Sequence, residues 1–147
     1  MMINRREIQM EWGDCDPGGI VYYPRYFEYC DACTNALFAK AGFPKFDMVR
    51  NYDIAGIPLV ESSARFLIPS QFGDVVIIES SIAEFGRSSF SVRHRILKGS
   101  ELAAEIIEKR VWAKQIRDAK SADGAAPGPV RYKAEPIPAA VRQKLSG

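Results

Sequence analysis

A chain of 147 residues, 47% hydrophobic and 26% charged with a formal net charge of +2, has the size and composition of one globular domain able to bury a core. So small a net charge excludes nucleic-acid binding driven by bulk electrostatics, although local basic clusters can still hold a phosphate-bearing ligand. No stretch approaches the ~20 apolar residues of a membrane span and the opening Met-Met-Ile-Asn-Arg-Arg-Glu-Ile lacks an apolar export core, so we expect a cytoplasmic protein with no membrane or nucleic-acid partner.

In chain order, Ile8, Met10 and Trp12 alternate with Glu7, Gln9 and Glu11, which predicts a first strand within Ile3 to Trp12 with one buried face. A tight turn follows at Pro17-Gly18-Gly19. From Pro24 to about Ala41, apolar residues recur at spacings of three and four, with Pro24 suited to a first helical turn and Gly42 to a stop, so a long and mostly buried helix is expected. Its Cys30 and Cys33 form a C-x-x-C inside the helix rather than at its start after a strand, which favours packing over redox chemistry. Cys15 completes an odd set of three, which reads as free thiols.

Residues 43 to 56 predict a short helical turn and loop. Four strands are then expected at Ile57 to Ile68, Val75 to Phe85, Ser89 to Leu97 and Leu102 to Ile116, from their β-branched and aromatic content and the breaks between them. Residues 118 to 130, rich in Ala, Gly and Pro, read as a mobile loop, and Pro138 to Leu145 as a short terminal helix. The order β, α, then a four-strand meander predicts a single α+β domain over 1–147, with a curved five-stranded antiparallel sheet wrapped around one long helix.

The chain has one histidine, His94, and lacks H-E-x-x-H, G-x-S-x-G, a Walker A loop and a paired C-x-x-C zinc pattern, which argues against metal and nucleotide hydrolysis. His94 shares strand parity with Phe90, Val92 and Ile96, the position of a satisfied core or interface histidine. What remains is Asp16, a carboxylate able to act as nucleophile or base on an already activated electrophile. Thioesters meet that requirement, because an oxyanion formed from their carbonyl would find backbone N–H groups at the helix start, around Tyr22 and Tyr23. The same spacing is equally compatible with an Asx turn in which Asp14 or Asp16 only shapes the backbone.

Gly-Asp-Cys-Asp-Pro-Gly-Gly-Ile-Val-Tyr-Tyr-Pro-Arg-Tyr, residues 13 to 26, resembles the signature of the 4-hydroxybenzoyl-CoA thioesterase family of hot-dog-fold enzymes. The resemblance continues through Asp31, Gly42-Phe43-Pro44, Gly56-Ile57-Pro58, the Glu84-to-Phe90 hairpin and Arg110-Val111-Trp112-Ala113, and so spans most of residues 3 to 116. It implies an acyl-CoA thioesterase with no cofactor beyond the coenzyme A of its substrate. Asp16 falls on the family's catalytic carboxylate, as nucleophile or as base on water, and Tyr23 on the position whose N–H polarises the thioester carbonyl. Asp31 matches an acidic residue near the acyl group, often across a subunit boundary. Arg87 and Lys133 match residues that contact the nucleotide phosphates of coenzyme A, with Arg131 as the alternative to Lys133.

Ile57 stands where near relatives carry threonine, which weakens 4-hydroxybenzoyl as the specific acyl group and leaves benzoyl, other aryl or medium acyl groups open. The resemblance further implies a homo-oligomer, a dimer or a tetramer of two dimers. Two alternatives are carried alongside: a hot-dog hydratase or dehydratase on acyl-CoA or acyl-carrier-protein substrates, against which stands the absence of a helix histidine, and a non-catalytic regulator that binds CoA esters.

Overall fold

The structure, a computed structural model, describes residues 1–116 and 130–147. The segment expected to be a mobile loop lies, except for Val130, outside the described residues. The elements are β1 (Asn4–Gln9), α1 (Pro24–Lys40), α2 (Lys45–Tyr52), β2 (Leu59–Phe66), β3 (Val75–Phe85), β4 (Ser89–Lys98), β5 (Glu101–Val111), β6 (Ala113–Ile116), β7 (Arg131–Ala134) and α3 (Ala139–Ser146). Five strands form one antiparallel sheet in the order β1–β3–β4–β5–β2, with α1 packed on it.

α1 forms because Tyr26, Cys30, Cys33, Thr34, Leu37 and Phe38 fall on one stripe, and all six are buried. It stops where predicted. Gly42 adopts φ +96°, where a side chain would be strained, while its N–H donates to Ala39 O (3.0 Å) and the Phe43 N–H to Phe38 O (2.9 Å), a paired closure of the last turn. Two apolar clusters flank this stripe. One gathers Leu37, Phe38, Phe90, Trp112, Val141 and Leu145, and the other Met10, Tyr26, Cys30, Cys33, Ile78 and Ile106. Cys30 and Cys33 are fully buried, and burial pushes both thiols up, so they pack as expected.

Three expectations are corrected. The last four strands do not form a simple meander, because β2 pairs with β5 at the far edge rather than with β3. The chain leaves β2 with the Leu67 and Ile68 N–H groups on Ala103 O (2.8 and 2.9 Å) and crosses to β3 through Pro69–Asp74. Trp12 does not continue the buried face of the first strand: the backbone leaves β1 after Gln9 and enters a 3-10 turn over Trp12–Asp14. Trp12 is 76% exposed and stacks edge-on against Phe72.

The strand expected over Leu102 to Ile116 breaks at Trp112, whose N–H donates to Ser88 O (2.8 Å) and whose side chain enters the core. Beyond that break β6 pairs with β7, a strand the turn-rich sequence before it had masked.

Candidate active site

The crossover after β2 supports the turn that carries Asp16. Val21 N–H donates to Ser70 O (2.8 Å), and Ile20 bridges to Gln71. Within the turn, Asp16 N–H donates to Ile20 O (2.9 Å), Gly19 N–H to Asp16 O (2.9 Å) and Tyr22 N–H to Asp14 O (2.8 Å), closing a small hairpin with a Cys15–Val21 bridge at its base. Gly19 turns the chain at φ +85°.

The Gly18 N–H donates to Asp16 Oδ1 (2.8 Å). Asp16 therefore does make an Asx turn, and the two sequence readings prove compatible, because the second carboxylate oxygen takes no hydrogen bond among the described residues. Asp14 serves the turn differently. Its Oδ2 accepts the Glu11 N–H (2.9 Å), and Oδ1 lies 3.8 Å from Arg25 Nε, tying the loop to the first turn of α1.

At the start of α1, Pro24 has no N–H to offer, while Arg25 and Tyr26 turn theirs back to Tyr22 O and Tyr23 O (2.9 and 3.1 Å). The Tyr23 N–H meets no acceptor among the described residues, and it sits at the positive end of the 17-residue helix. Beside it opens a cavity of about 300 Å³, largely apolar, lined by Ile20, Tyr23, Tyr26, Phe66, Leu67 and Ser70 among others. An uncommitted donor and an apolar cavity thus lie at one helix end, with Asp16 on the hairpin that leads into it and paired through its N–H to Ile20, a residue of the cavity wall.

The remaining predicted residues lie elsewhere. Asp31 follows Tyr23 by eight residues on α1 and lines a second cavity of about 310 Å³ together with Ile57, Arg110 and Tyr132. The Ile57 side chain is buried and belongs to the apolar core, so its polar contribution is the carbonyl, which accepts from Arg110 Nη1 (3.0 Å). Arg87 sits exposed on the β3–β4 hairpin, and Lys133 is exposed on β7. These two share one end of the sheet with Ile57, since Trp112 N–H reaches Ser88 O, Ile137 N–H reaches Arg87 O (3.0 Å) and Gly56 bridges to Ala113. The six residues therefore form two groups in one chain: Asp16 with Tyr23, and Asp31 with Ile57, toward whose end Arg87 and Lys133 lie.

Sequence reasoning missed the buried polar cluster behind Asp31. Arg110 Nη2 donates to Asp31 Oδ1 and Glu108 Oε2 (both 2.8 Å), and Arg110 Nε donates to Glu108 Oε1 (3.2 Å). Glu108 Oε1 also meets His94 Nε2 (3.0 Å) and accepts the Thr34 hydroxyl, and His94 Nδ1 faces Ser80 Oγ (2.7 Å). Burial alone would raise the Glu108 carboxyl, but hydrogen bonds from His94 and Arg110 outweigh it and hold it at about 2. His94 is thus the satisfied core histidine its parity predicted. The available signal was that Glu108 and Arg110 share the inward parity of Ala104 and Ile106, so that two charges fall on a buried face.

The fold and this site define a hot-dog thioesterase. The description of the thioesterase-like superfamily matches residues 10–145, and the chain belongs to that family. It is 39% identical over 111 residues to the 4-hydroxybenzoyl-CoA thioesterase of Pseudomonas sp. strain CBS-3, covering 71% of this chain and 79% of that one. The crystal structure of that enzyme superposes with a TM-score of 0.80 at 30% identity, over 98% of this chain and 99% of the other. A gentisyl-coenzyme A thioesterase superposes at 0.76, also 30% identical, over 98% and 100% of the two chains. The protein is accordingly a thioester hydrolase.

Proposed function

We propose that the protein hydrolyses an aromatic acyl-CoA to the free acid and coenzyme A, with Asp16 as the reacting carboxylate and the Tyr23 N–H as the oxyanion donor. The observations that carry this reading are the unshared Tyr23 N–H at the mouth of α1 and, on the hairpin leading into it, an Asp16 whose one oxygen is held by Gly18 N–H and whose other oxygen is uncommitted. The thioester carbonyl oxygen accepts from Tyr23, and negative charge developing on it gains the favourable end of the helix dipole. The uncommitted Asp16 oxygen then either bonds to the carbonyl carbon, expelling the CoA thiolate and leaving a mixed anhydride for water to cleave, or takes a proton from the water that attacks. Rapid-quench single turnover distinguishes the two routes, since only the first accumulates an acyl-enzyme. The apolar lining of the cavity beside Tyr23 and the aromatic acyl groups of the relatives favour an aryl thioester.

Geometry also bears on assembly. Eight residues of helix rise about 12 Å, farther than the span from the carbonyl of a benzoyl group to its para substituent, so a ring seated at Tyr23 does not reach the Asp31 of its own chain. A second copy supplies Asp31, and with it the Arg87 and Lys133 end that would hold the CoA phosphates. In support, β2 is an exposed sheet edge with Leu59, Val60 and Phe66 about half exposed, a surface that a homo-oligomer would cover.

The test is thiol release from a panel of aryl and alkyl acyl-CoA thioesters by wild type and Asp16→Asn. Turnover of aryl thioesters that disappears in Asp16→Asn supports the proposal. Binding without turnover in the wild type would establish the regulator reading instead, and near wild-type turnover by Asp16→Asn would remove the carboxylate from the mechanism.

A further inference from the structure

The cluster of Ser80, His94, Glu108, Arg110 and Thr34 is buried throughout, and it has one open end. Asp31, at that end, keeps 59% of its side chain exposed while Arg110, its partner, keeps 6%. A guanidinium offers five N–H donors in a fixed plane, and four contacts are made here: two to Glu108, one to Asp31 and one to the Ile57 carbonyl. Glu108 is in turn immobilised by His94 and Thr34. Arg110 is therefore a rigid plane anchored from behind, and the two groups it fixes are the carboxylate and the backbone carbonyl that border the second cavity.

Stability is a poor explanation for this arrangement. Desolvating a buried ion pair costs about as much as its attraction returns, and apolar residues of similar volume commonly serve as well. What the cluster does provide is orientation. A free aspartate on an exposed helix face samples several rotamers. Asp31 is held through Oδ1, which leaves Oδ2 as an acceptor at a fixed place, and the Arg110 charge offsets the carboxylate so that a neutral hydroxyl can approach it.

We propose that Arg110 is a positioning residue for acyl-group recognition, holding Asp31 and the Ile57 carbonyl so that the site discriminates hydroxylated from unsubstituted aroyl thioesters. The inference rests on the reading above in which Asp31 faces the acyl group. It also assigns a purpose to His94 and Glu108, both buried behind Asp31: they hold the plane of Arg110.

The measurement is the ratio of kcat/KM for 4-hydroxybenzoyl-CoA to that for benzoyl-CoA in wild type, Asp31→Asn, Arg110→Lys and the double variant. A ratio cancels any loss of folded enzyme, which scales both substrates alike. We expect the wild type to favour the hydroxylated thioester, the ratio to fall at least about tenfold in Asp31→Asn and in Arg110→Lys, and the double variant to fall no further, because both substitutions remove one interaction. If Arg110→Lys does not fold, Glu108→Gln combined with Arg110→Gln removes both buried charges together, and circular dichroism reports whether it does. A wild-type ratio near one, or a ratio unmoved by Asp31→Asn, overturns the underlying assignment of Asp31. A ratio lowered by Asp31→Asn but kept by a folded Arg110 variant overturns the positioning role itself.

Discussion

At the scale of single residues, the turn that carries the proposed catalytic Asp16 depends on contacts of a few atoms. A Cβ added at Gly18 would lie 3.0 Å from Asp16 Oδ1, so Gly18→Ala displaces the carboxylate without touching any other side chain. We expect kcat to fall by about tenfold with KM for the thioester little changed, as steady-state kinetics would show, because only the reacting group has moved. Gly19→Ala acts through the backbone instead. At φ +85° a side chain costs about 1 kcal/mol, read as a lower urea midpoint at unchanged slope. Glu108 controls acid stability. Its carboxyl is held at about 2 against an ordinary 4.5, so its contribution is full above pH 4.5 and drains away as pH falls toward 2. Urea midpoints measured through that window should drop more steeply for wild type than for Glu108→Gln, which is less stable at neutral pH but has no such proton to gain.

At the scale of elements, the outer face of the sheet carries one row of alternating charge. Arg5 pairs with Glu79, Glu79 with Arg95, Arg95 with Glu105 and Glu105 with Arg65 across all five strands, and the Arg5–Glu79 ion pair closes at 3.0 Å. Directly opposed like charges destabilise a sheet. Arg95→Glu places three carboxylates side by side and should cost about 1 kcal/mol in urea unfolding, partly restored at high salt, which screens exposed charges. This row also explains why a strand such as β5, whose Ala103 to Arg110 stretch has helical propensity, settles in the sheet: Glu105 is matched from both sides, and Ile106 and Glu108 face inward. Local propensity loses to pairing, as it commonly does.

At the scale of the whole molecule, one chain holds its predicted functional residues in two groups at different points along α1. Light scattering coupled to size-exclusion chromatography should give a mass of at least two chains. A stricter test uses complementation. Asp16→Asn and Asp31→Arg should each be inactive toward hydroxylated aroyl thioesters, and refolding them together should restore activity, because one site of a mixed dimer then holds an intact Asp16 and an intact Asp31. Restored activity requires the two groups to come from different chains, whereas a site contained in one chain stays silent in the mixture.

By itself the sequence determined the elements whose cause is local. The period of the apolar residues sets α1, Pro24 and Gly42 set its ends, and the β-branched runs set β3 and β4, all within a residue or so of their observed bounds. It also placed Asp16 in a tight turn and Tyr23 at a helix start, because both features are local in the chain. Only the tertiary structure decided what depends on long-range pairing: the docking of β2 on β5, the outward swing of Trp12, the split at Trp112, and the assembly of Ser80, His94, Glu108 and Arg110 behind Asp31. Those residues come from α1, β3, β4 and β5, and no local period records which strand will lie beside which. The free energy that joins them is realised only when the sheet closes around the helix.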